Sequence, residues 1–177
     1  MKTDKPAAPD ITAAAAPAAG FSADGYIVDQ DFFAAYRYRT MTSDINGCGW
    51  IAAYNLLRAI GADVDFDTVR REMDAMIRLR VPGPTPMRVL RTYIERTAAV
   101  KTARGRGAAY AAARNGRAGV LRYWEGREPH YVTFVRQADG TYRFFNVAAG
   151  LEDFTCAMED FFGGHCRRGS VYAFVVE

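Results

Sequence analysis

Residues 46–60 have the sequence NGCGWIAAYNLLRAI and decide the fold of this chain, because they place a cysteine between two glycines at the start of a strongly patterned helix. Cys48 lies one turn before Ala52, and Gly61 ends the helix. The apolar residues recur at helical spacing and form one continuous stripe, made by Ala52, Ala53, Leu56, Leu57 and Ile60. We therefore expect a central, buried helix with the Cys48 thiol at its inner end.

The position of Cys48 indicates chemistry as well as packing. Backbone N–H groups are unpaired at a helix N-terminus and stabilise negative charge, so a thiol there is expected to ionise readily. Gly47 and Gly49 are expected to let the backbone turn tightly and let a substrate approach. A cysteine nucleophile also needs a base, and the chain has two histidines, His130 and His165. The alternative is a buried structural cysteine, because unpaired cysteines are commonly interior.

Length and composition indicate one globular domain. The chain has 177 residues, 50% of them apolar, and its net charge of +3 does not by itself indicate a nucleic-acid partner. No apolar run approaches the roughly 20 residues that span a bilayer, and the N-terminus lacks the apolar core of a signal peptide. The odd count of three cysteines argues against a disulfide framework. We expect a soluble, cytoplasmic protein without a membrane partner.

The pattern along the chain predicts an α+β fold. Residues 1–25 are rich in alanine and proline and are expected to form a flexible tail, so the compact domain spans 26–177. After the central helix we predict a helix over 66–79 capped by Asp65 or Asp67, a helix to residue 94 with Thr85 as N-cap and Pro86 in the first turn, a short helix over 108–114, and strands over 119–124, 130–136, 142–147 and 170–176. Helices that precede strands predict a helical half packed on a C-terminal antiparallel β-sheet.

The register of one hairpin decides whether the Asn146 side chain can reach His130. A two-residue turn over 139–140 would place His130 and Asn146 on opposite faces of the sheet. A three-residue loop over 138–140, closed by Gly140 in the left-handed region, would place them on the same face, one diagonal apart. Because Gly140 supplies the residue that the longer loop requires, we predict the three-residue loop.

In that geometry four residues have distinct roles. Cys48 is the nucleophile and His130 is the base that takes its proton. The Asn146 amide oxygen accepts from the second ring N–H of His130 and fixes its orientation. The backbone N–H of Cys48 and the Asn46 side chain are the candidate oxyanion donors. Each also has a structural interpretation: a strand histidine for His130, a strand-end residue for Asn146 and an ordinary Asn-Gly turn for Asn46.

A cysteine at a helix start, followed by histidine and asparagine on late strands, resembles the papain-like cysteine peptidase superfamily. The short segment Asn46-Gly47-Cys48-Gly49 at the start of the helix most resembles the bacteriocin-processing (double-glycine), C39-like branch. The resemblance covers about residues 40–176 and implies a site in the cleft between the helical half and the sheet half. It implies a peptidase or amidase that forms a thioester with a peptide or amide-containing substrate and needs no cofactor.

The chain departs from this family at two positions. Members usually carry a glutamine shortly before the cysteine, but the only glutamines here are Gln30 and Gln137, and Gln30 would reach the site only if the chain folds back. The double-glycine branch often has aspartate where this chain has Asn146. Two alternatives follow: an acyltransferase or transglutaminase with the same triad, or a non-catalytic binding module on the same fold.

Other features indicate less. Trp50 and Trp124 are weak candidates for lining the cleft, together with the two glycines. Cys156, His165 and Cys166 fit no common zinc spacing, so we expect no metal. The many arginines between residues 70 and 106 are expected to form a solvated helix surface, with no nucleic-acid partner.

Overall fold

The structure is a computed structural model that describes residues 18–79, 81–147, 154–167 and 169–176. In chain order its elements are a 3₁₀ helix Gln30–Phe33, β1 Arg37–Tyr38, β2 Met41–Thr42, α1 Ser43–Asn46, α2 Cys48–Ala59, α3 Phe66–Met76, α4 Met87–Ile94, β3 Lys101–Arg104, α5 Arg106–Asn115, β4 Ala118–Glu125, β5 Glu128–Arg136, β6 Tyr142–Phe145, β7 Phe154–Cys156, α6 Met158–Gly164 and β8 Tyr172–Val176.

The main sheet has six strands, in the order β3-β8-β4-β5-β6-β7, and every neighbouring pair is antiparallel. A separate ribbon pairs β1 with β2. This arrangement confirms the predicted α+β class with an antiparallel sheet. None of the helices in the described ranges is long and apolar enough to cross a bilayer.

Alternating residues of the sheet bury two apolar layers. On one face Val120 and Tyr131 join the core formed by α2, α3 and α4. On the other face Leu121 and Val132 pack with α5 and α6. The period-2 alternation of strand side chains therefore lets one sheet carry helices on both faces. The helix α2, which begins at Cys48, is fixed to the sheet by a buried hydrogen bond from Thr133 Oγ1 to the Ala52 carbonyl oxygen, 3.0 Å long.

The predicted hairpin register is confirmed. Thr133 pairs with Phe145 and Arg136 with Tyr142, and the Gln137 N–H donates to the Thr141 carbonyl oxygen at 2.8 Å. Gly140 closes the loop with φ of 88°. Because the loop has three residues, the end of β6 lies beside His130 on the same face of the sheet.

Several predicted boundaries are wrong. The helix over 66–79 ends at Met76 because Ile77 turns to an extended conformation and is buried. Thr85 does not cap α4; its hydroxyl instead lies 3.0 Å from the Tyr38 hydroxyl, and Pro86 is the N-cap residue. Asp65 does cap α3, accepting from Thr68 N–H at 2.8 Å. The sequence pattern did not predict the helices α1 and α6, the 3₁₀ helix or the strands β1, β2, β3 and β7.

The packed domain begins before residue 26. Phe21 makes edge contacts with Phe33 and Phe66. The segment that follows it is held by Asn55, which forms two buried hydrogen bonds with the backbone of Ile27. Residues 18–25, which we assigned to a flexible tail, thus lie against the helical half. The remainder of that predicted tail, residues 1–17, lies outside the described residues.

Acidic neighbours pair with part of the basic stretch. Arg70 and Arg71 contact Asp67, and further surface pairs are Arg91–Glu95 and Arg96–Glu72. Exposed pairs of this kind each contribute about 0–1 kcal/mol, so they organise a solvated helix surface more than they stabilise it.

Candidate active site

Cys48 is the first residue of α2, and its side chain is buried with 6% exposure. Both flanking glycines are needed for close packing. A Cβ on Gly47 would lie 2.2 Å from the Ser43 carbonyl oxygen, and a Cβ on Gly49 would lie 2.1 Å from Thr85 Oγ1. Gly47 has φ of −73°, a helical backbone angle that any residue adopts, so the tight turn expected to require glycine is not present. The two glycines let Ser43 and Thr85 pack against the backbone on either side of Cys48, and both glycines are themselves buried.

His130 lies on β5 opposite Tyr123 of β4 and is partly buried beside the thiol. Burial lowers the pKa of His130, but four influences raise it: the hydrogen bond to Cys48, the charge of the Cys48 thiolate, the hydrogen bond to the Asn146 carbonyl and the charge of Glu125. The net pKa lies above the ordinary value. The Cys48 sulfur and the Asn146 carbonyl therefore both favour the protonated form of the His130 ring.

The second ring nitrogen of His130 is held by the backbone of Asn146. Nε2 lies 2.6 Å from the Asn146 carbonyl oxygen. Because a carbonyl only accepts, Nε2 carries the hydrogen, which leaves Nδ1 for the contact with Cys48. Asn146 directly follows β6 and has φ of 62°, a left-handed conformation that asparagine adopts more readily than most residues.

The prediction that the side-chain amide oxygen of Asn146 orients His130 is therefore wrong, because the main-chain carbonyl oxygen makes that contact. Its Oδ1 accepts from the Gln30 backbone N–H at 3.2 Å, and its Nδ2 donates to Gln30 Oε1 at 3.1 Å. The register places Asn146 on the correct face, but the left-handed residue turns its carbonyl toward the ring and its amide toward Gln30. The residue is at the site, and its main chain takes the orienting position.

Gln30 is a further residue of the site, and the sequence pattern does not predict its position there. The N-terminal segment does fold back, and Gln30 Nε2 donates to the Asp44 carbonyl oxygen at 2.6 Å. Its contacts with Asn146 join residues 116 positions apart. The only signal in the sequence was its being one of two glutamines, because neither spacing nor periodicity predicts so distant a contact.

Asn46 lies buried beside the thiol with both polar atoms unpaired. The residue has 5% exposure, and neither Oδ1 nor Nδ2 has a hydrogen-bond partner among the described residues. Leaving a buried polar group unpaired costs about 1–3 kcal/mol, which favours a role for this amide toward a bound molecule. Asn46 and Cys48 line a cavity of about 340 Å³ whose walls are mainly apolar: Met41, Ile45, Pro82, Gly83, Pro84 and Pro129, with Glu128 at its edge.

A second cavity lies on the other side of the cysteine–histidine pair. It has a volume of about 400 Å³, and His130, Asn146 and Gln30 line it together with Glu125. The pair therefore has space on the thiol side and on the imidazole side.

The two candidate tryptophans do not line these cavities. Trp50 is fully buried, donates to Ser43 Oγ at 3.1 Å and packs against Phe33, so it belongs to the core. Trp124 pairs with Pro129 across β4 and β5, and Arg122 lies over its ring. The substrate-cleft role expected for the tryptophans is therefore not supported.

Both histidines make edge contacts with the ring of Tyr123, with ring centroids 5.9 Å from it for His130 and 6.1 Å for His165. His165 stacks on Phe161 with ring centroids 4.7 Å apart, and burial lowers its pKa. Burial also raises the pKa of Cys166 to about 12 and raises that of Cys156. In the described part of the chain, no three His, Cys, Asp or Glu side chains form a group that could hold a metal ion.

Comparison with protein-family models and with curated proteins found no match to this sequence. The chemistry of the site is therefore inferred from its own geometry. A thiol lies at a helix start, an imidazole has contacts at both ring nitrogens, and an amide without a hydrogen-bond partner among the described residues lines the adjoining cavity.

Proposed function

We propose that this protein is a papain-like thiol enzyme that cleaves a peptide or amide bond through a thioester on Cys48. One observation carries the proposal: His130 contacts the Cys48 thiol through one ring nitrogen while the Asn146 carbonyl holds the other. This arrangement activates a weak nucleophile and fixes the tautomer of its base.

In the first step His130 takes the proton of Cys48, and the thiolate sulfur attacks the substrate carbonyl carbon. The carbonyl π electrons move to the oxygen, where the Cys48 backbone N–H and Asn46 Nδ2 stabilise the negative charge. The imidazolium then donates its proton to the departing nitrogen. The carbon–nitrogen bond breaks, an amine leaves, and the acyl group stays on sulfur.

In the second step His130 acts as a base toward water. The water oxygen attacks the thioester carbon, its proton moves to the imidazole, and the carbon–sulfur bond then breaks. The proton returns to sulfur, which restores the Cys48 thiol and releases a carboxylic acid. In both steps the Asn146 carbonyl stabilises the transient positive charge on the ring.

The unpaired Asn46 amide supports a peptide or amide substrate over an ester. Nδ2 needs an acceptor and Oδ1 needs a donor, and in the described part of the chain both are buried without a hydrogen-bond partner. A peptide group supplies a carbonyl oxygen and an N–H together, whereas an ester supplies acceptors alone. The apolar walls around Met41, Ile45 and Pro84 leave room for an apolar group beside the reacting carbonyl.

The free cysteines support a reducing compartment, and we propose the cytoplasm. Cys48, Cys156 and Cys166 are all unpaired. Free thiols persist where cellular reductants maintain them, and a thiol nucleophile functions only while reduced.

An acyl-trapping experiment tests the proposal. The full chain is incubated with an activated acyl ester, p-nitrophenyl acetate, and the acyl group is located by mass spectrometry. We expect a thioester on Cys48 that water or hydroxylamine removes, and no such adduct in Cys48→Ala or His130→Ala. Cys156→Ala is the matched control and should be acylated like the wild type.

The same experiment separates the alternatives. Release of free acid at every concentration of an added amine supports hydrolysis. Formation of an amide with the added amine would instead identify the protein as an acyltransferase. Absence of any adduct on Cys48 under conditions that acylate a free thiol would contradict the enzyme and favour a binding module.

A further inference from the structure

Gln30 connects three segments of the chain at the site. Its backbone lies in the 3₁₀ helix, its Nε2 donates to the Asp44 carbonyl oxygen of α1, and its Oε1 accepts from Asn146 at the end of β6. Helix α1 leads directly into Cys48, and Asn146 holds His130. One side chain thereby links the segment that carries the nucleophile to the residue that orients the base.

Gln30 binds both polar atoms of the Asn146 side chain. The Gln30 N–H donates to Oδ1 at 3.2 Å, and Nδ2 of Asn146 donates back to Gln30 Oε1 at 3.1 Å. Two hydrogen bonds to one partner fix the direction of the amide as well as its position. The Asn146 side chain is thereby directed away from His130.

The backbone of Asn146 needs such support. A non-glycine residue in the left-handed region is disfavoured because Cβ crowds the carbonyl, and local hydrogen bonds of an asparagine side chain offset part of that cost. With φ at 62°, the residue turns its carbonyl to within 2.6 Å of His130 Nε2. A different backbone angle would swing the carbonyl out of reach.

We propose that Gln30 is a positioning residue, which holds the Asn146 peptide in its left-handed conformation so that the carbonyl orients His130 against Cys48. This inference rests on the function proposed above. It assigns Gln30 to the base side of the site, where its Nε2 is already engaged with Asp44, and not to the oxyanion.

Substitution Gln30→Met tests the inference, because methionine has a similar length but neither the amide oxygen nor the amide nitrogen of glutamine, and it keeps the backbone N–H. The readouts are the NMR titration of His130 and the rate of Cys48 alkylation by iodoacetamide. We expect the pKa of His130 to fall, because the Asn146 carbonyl is one of the influences that raise it. We expect alkylation below pH 7 to slow by about tenfold, part of the 10²–10⁴ that a positioned base contributes.

Gln137→Met is the matched control. Gln137 lies at the start of the hairpin loop, and its Nε2 donates to the Val135 carbonyl oxygen at 2.9 Å. This variant also loses a glutamine side-chain hydrogen bond, but at a distance from the pair. Its His130 titration and its alkylation rate should equal those of the wild type.

Gln30→Glu provides a second test that does not depend on how well the methionine variant folds. A protonated glutamic acid can donate to the Asp44 carbonyl and accept from Asn146, as glutamine does, whereas the ionised form loses the donor. The ratio of Gln30→Glu to wild-type alkylation should therefore rise as the pH falls toward the ordinary glutamate pKa of about 4.3.

The outcomes separate the two proposals. If the wild type shows no His130-dependent alkylation, the proposed function fails, and the His130 titration still reports on positioning. If the wild type is reactive but Gln30→Met keeps the wild-type titration and rate, the positioning role is overturned. If Gln30→Met does not fold, a pH-independent ratio for Gln30→Glu overturns it instead.

Discussion

His130 Nε2 lies 2.6 Å from the main-chain carbonyl oxygen of Asn146, at the residue where β6 ends in a left-handed conformation. The acceptor that orients the imidazole is thus a peptide group, which every residue at position 146 would supply. What the side chain controls is the backbone angle that aims this carbonyl. The site depends on conformation at position 146 more than on the chemical identity of the residue.

A matched pair of substitutions at position 146 tests this dependence. Asn146→Gly and Asn146→Ala both remove the amide, but only glycine adopts the left-handed region without steric cost. We expect the alanine variant to be less stable than the glycine variant by about 1 kcal/mol. Urea unfolding monitored by circular dichroism measures the difference, and equal free energies of unfolding would contradict it.

A second prediction concerns the two buried asparagines near α2. Asn46→Leu removes two unpaired buried polar atoms, so we expect its free energy of unfolding to rise by about 1 kcal/mol. The same variant should acylate about a hundredfold more slowly, because loss of one oxyanion donor typically costs about 10²–10³ in rate.

Asn55→Leu is the control for that substitution. Asn55 is also buried, but it accepts from the Ile27 N–H at 2.8 Å and donates to the Ile27 carbonyl oxygen at 2.7 Å. We expect this variant to lose stability, since it leaves two backbone groups unpaired. If Asn46→Leu destabilised the protein as much as Asn55→Leu does, Asn46 would be a structural residue.

Gly49 is predicted to be essential for packing at the start of α2. An alanine there would place Cβ 2.1 Å from Thr85 Oγ1, whose hydroxyl is engaged with Tyr38. We expect Gly49→Ala to lower the free energy of unfolding by about 1–3 kcal/mol, as overpacked cores do. In Gly107→Ala, within α5, the new Cβ meets nothing within 4 Å, so the helix should gain up to about 1 kcal/mol. Chemical unfolding of both variants provides the comparison.

The two histidines should titrate on opposite sides of the ordinary value of about 6.5. The pKa of His130 lies above this value, whereas burial lowers the pKa of His165. In Cys48→Ala the hydrogen bond and the charge from the thiolate disappear, while the burial that lowers the His130 pKa remains. We therefore expect the His130 pKa to fall, and we expect the His165 pKa not to fall with it, because the His130 charge is one of the influences that lower the His165 pKa. Proton NMR of the ring hydrogens follows both, and an unchanged His130 titration would show that the two side chains are not coupled.

The elements around the thiol could be predicted because local rules determine them. The apolar stripe from Ala52 to Ile60 specifies α2, and the glycine that a three-residue loop needs specifies the register between β5 and β6. These signals lie within one element or one hairpin. They are enough to bring His130 and the end of β6 to one face.

The contacts that complete the site could not be predicted because they join distant segments. Gln30 reaches Asn146 across 116 positions, and nothing in the local pattern indicates that pairing. The helix α6 includes Gly163 and Gly164, which favour a loop by propensity, but burial of Phe161 and Phe162 on the sheet outweighs that preference. The sequence pattern likewise could not indicate whether the carbonyl or the amide of Asn146 would face His130.

The coupling of Cys48 to His130 can be measured by site-resolved alkylation of the native protein by iodoacetamide between about pH 5 and 9, with His130→Ala in parallel. Cys156 and Cys166 serve as internal references in the same sample. Cys156 is more exposed than Cys48, and burial raises the pKa of both reference thiols.

We predict that Cys48 is labelled fastest despite its 6% exposure, that labelling persists below pH 7, and that His130→Ala removes this low-pH reactivity. Labelling that follows exposure, with Cys156 ahead of Cys48 at every pH and no effect of His130→Ala, would contradict the thiolate–imidazolium pair and with it the proposed enzyme.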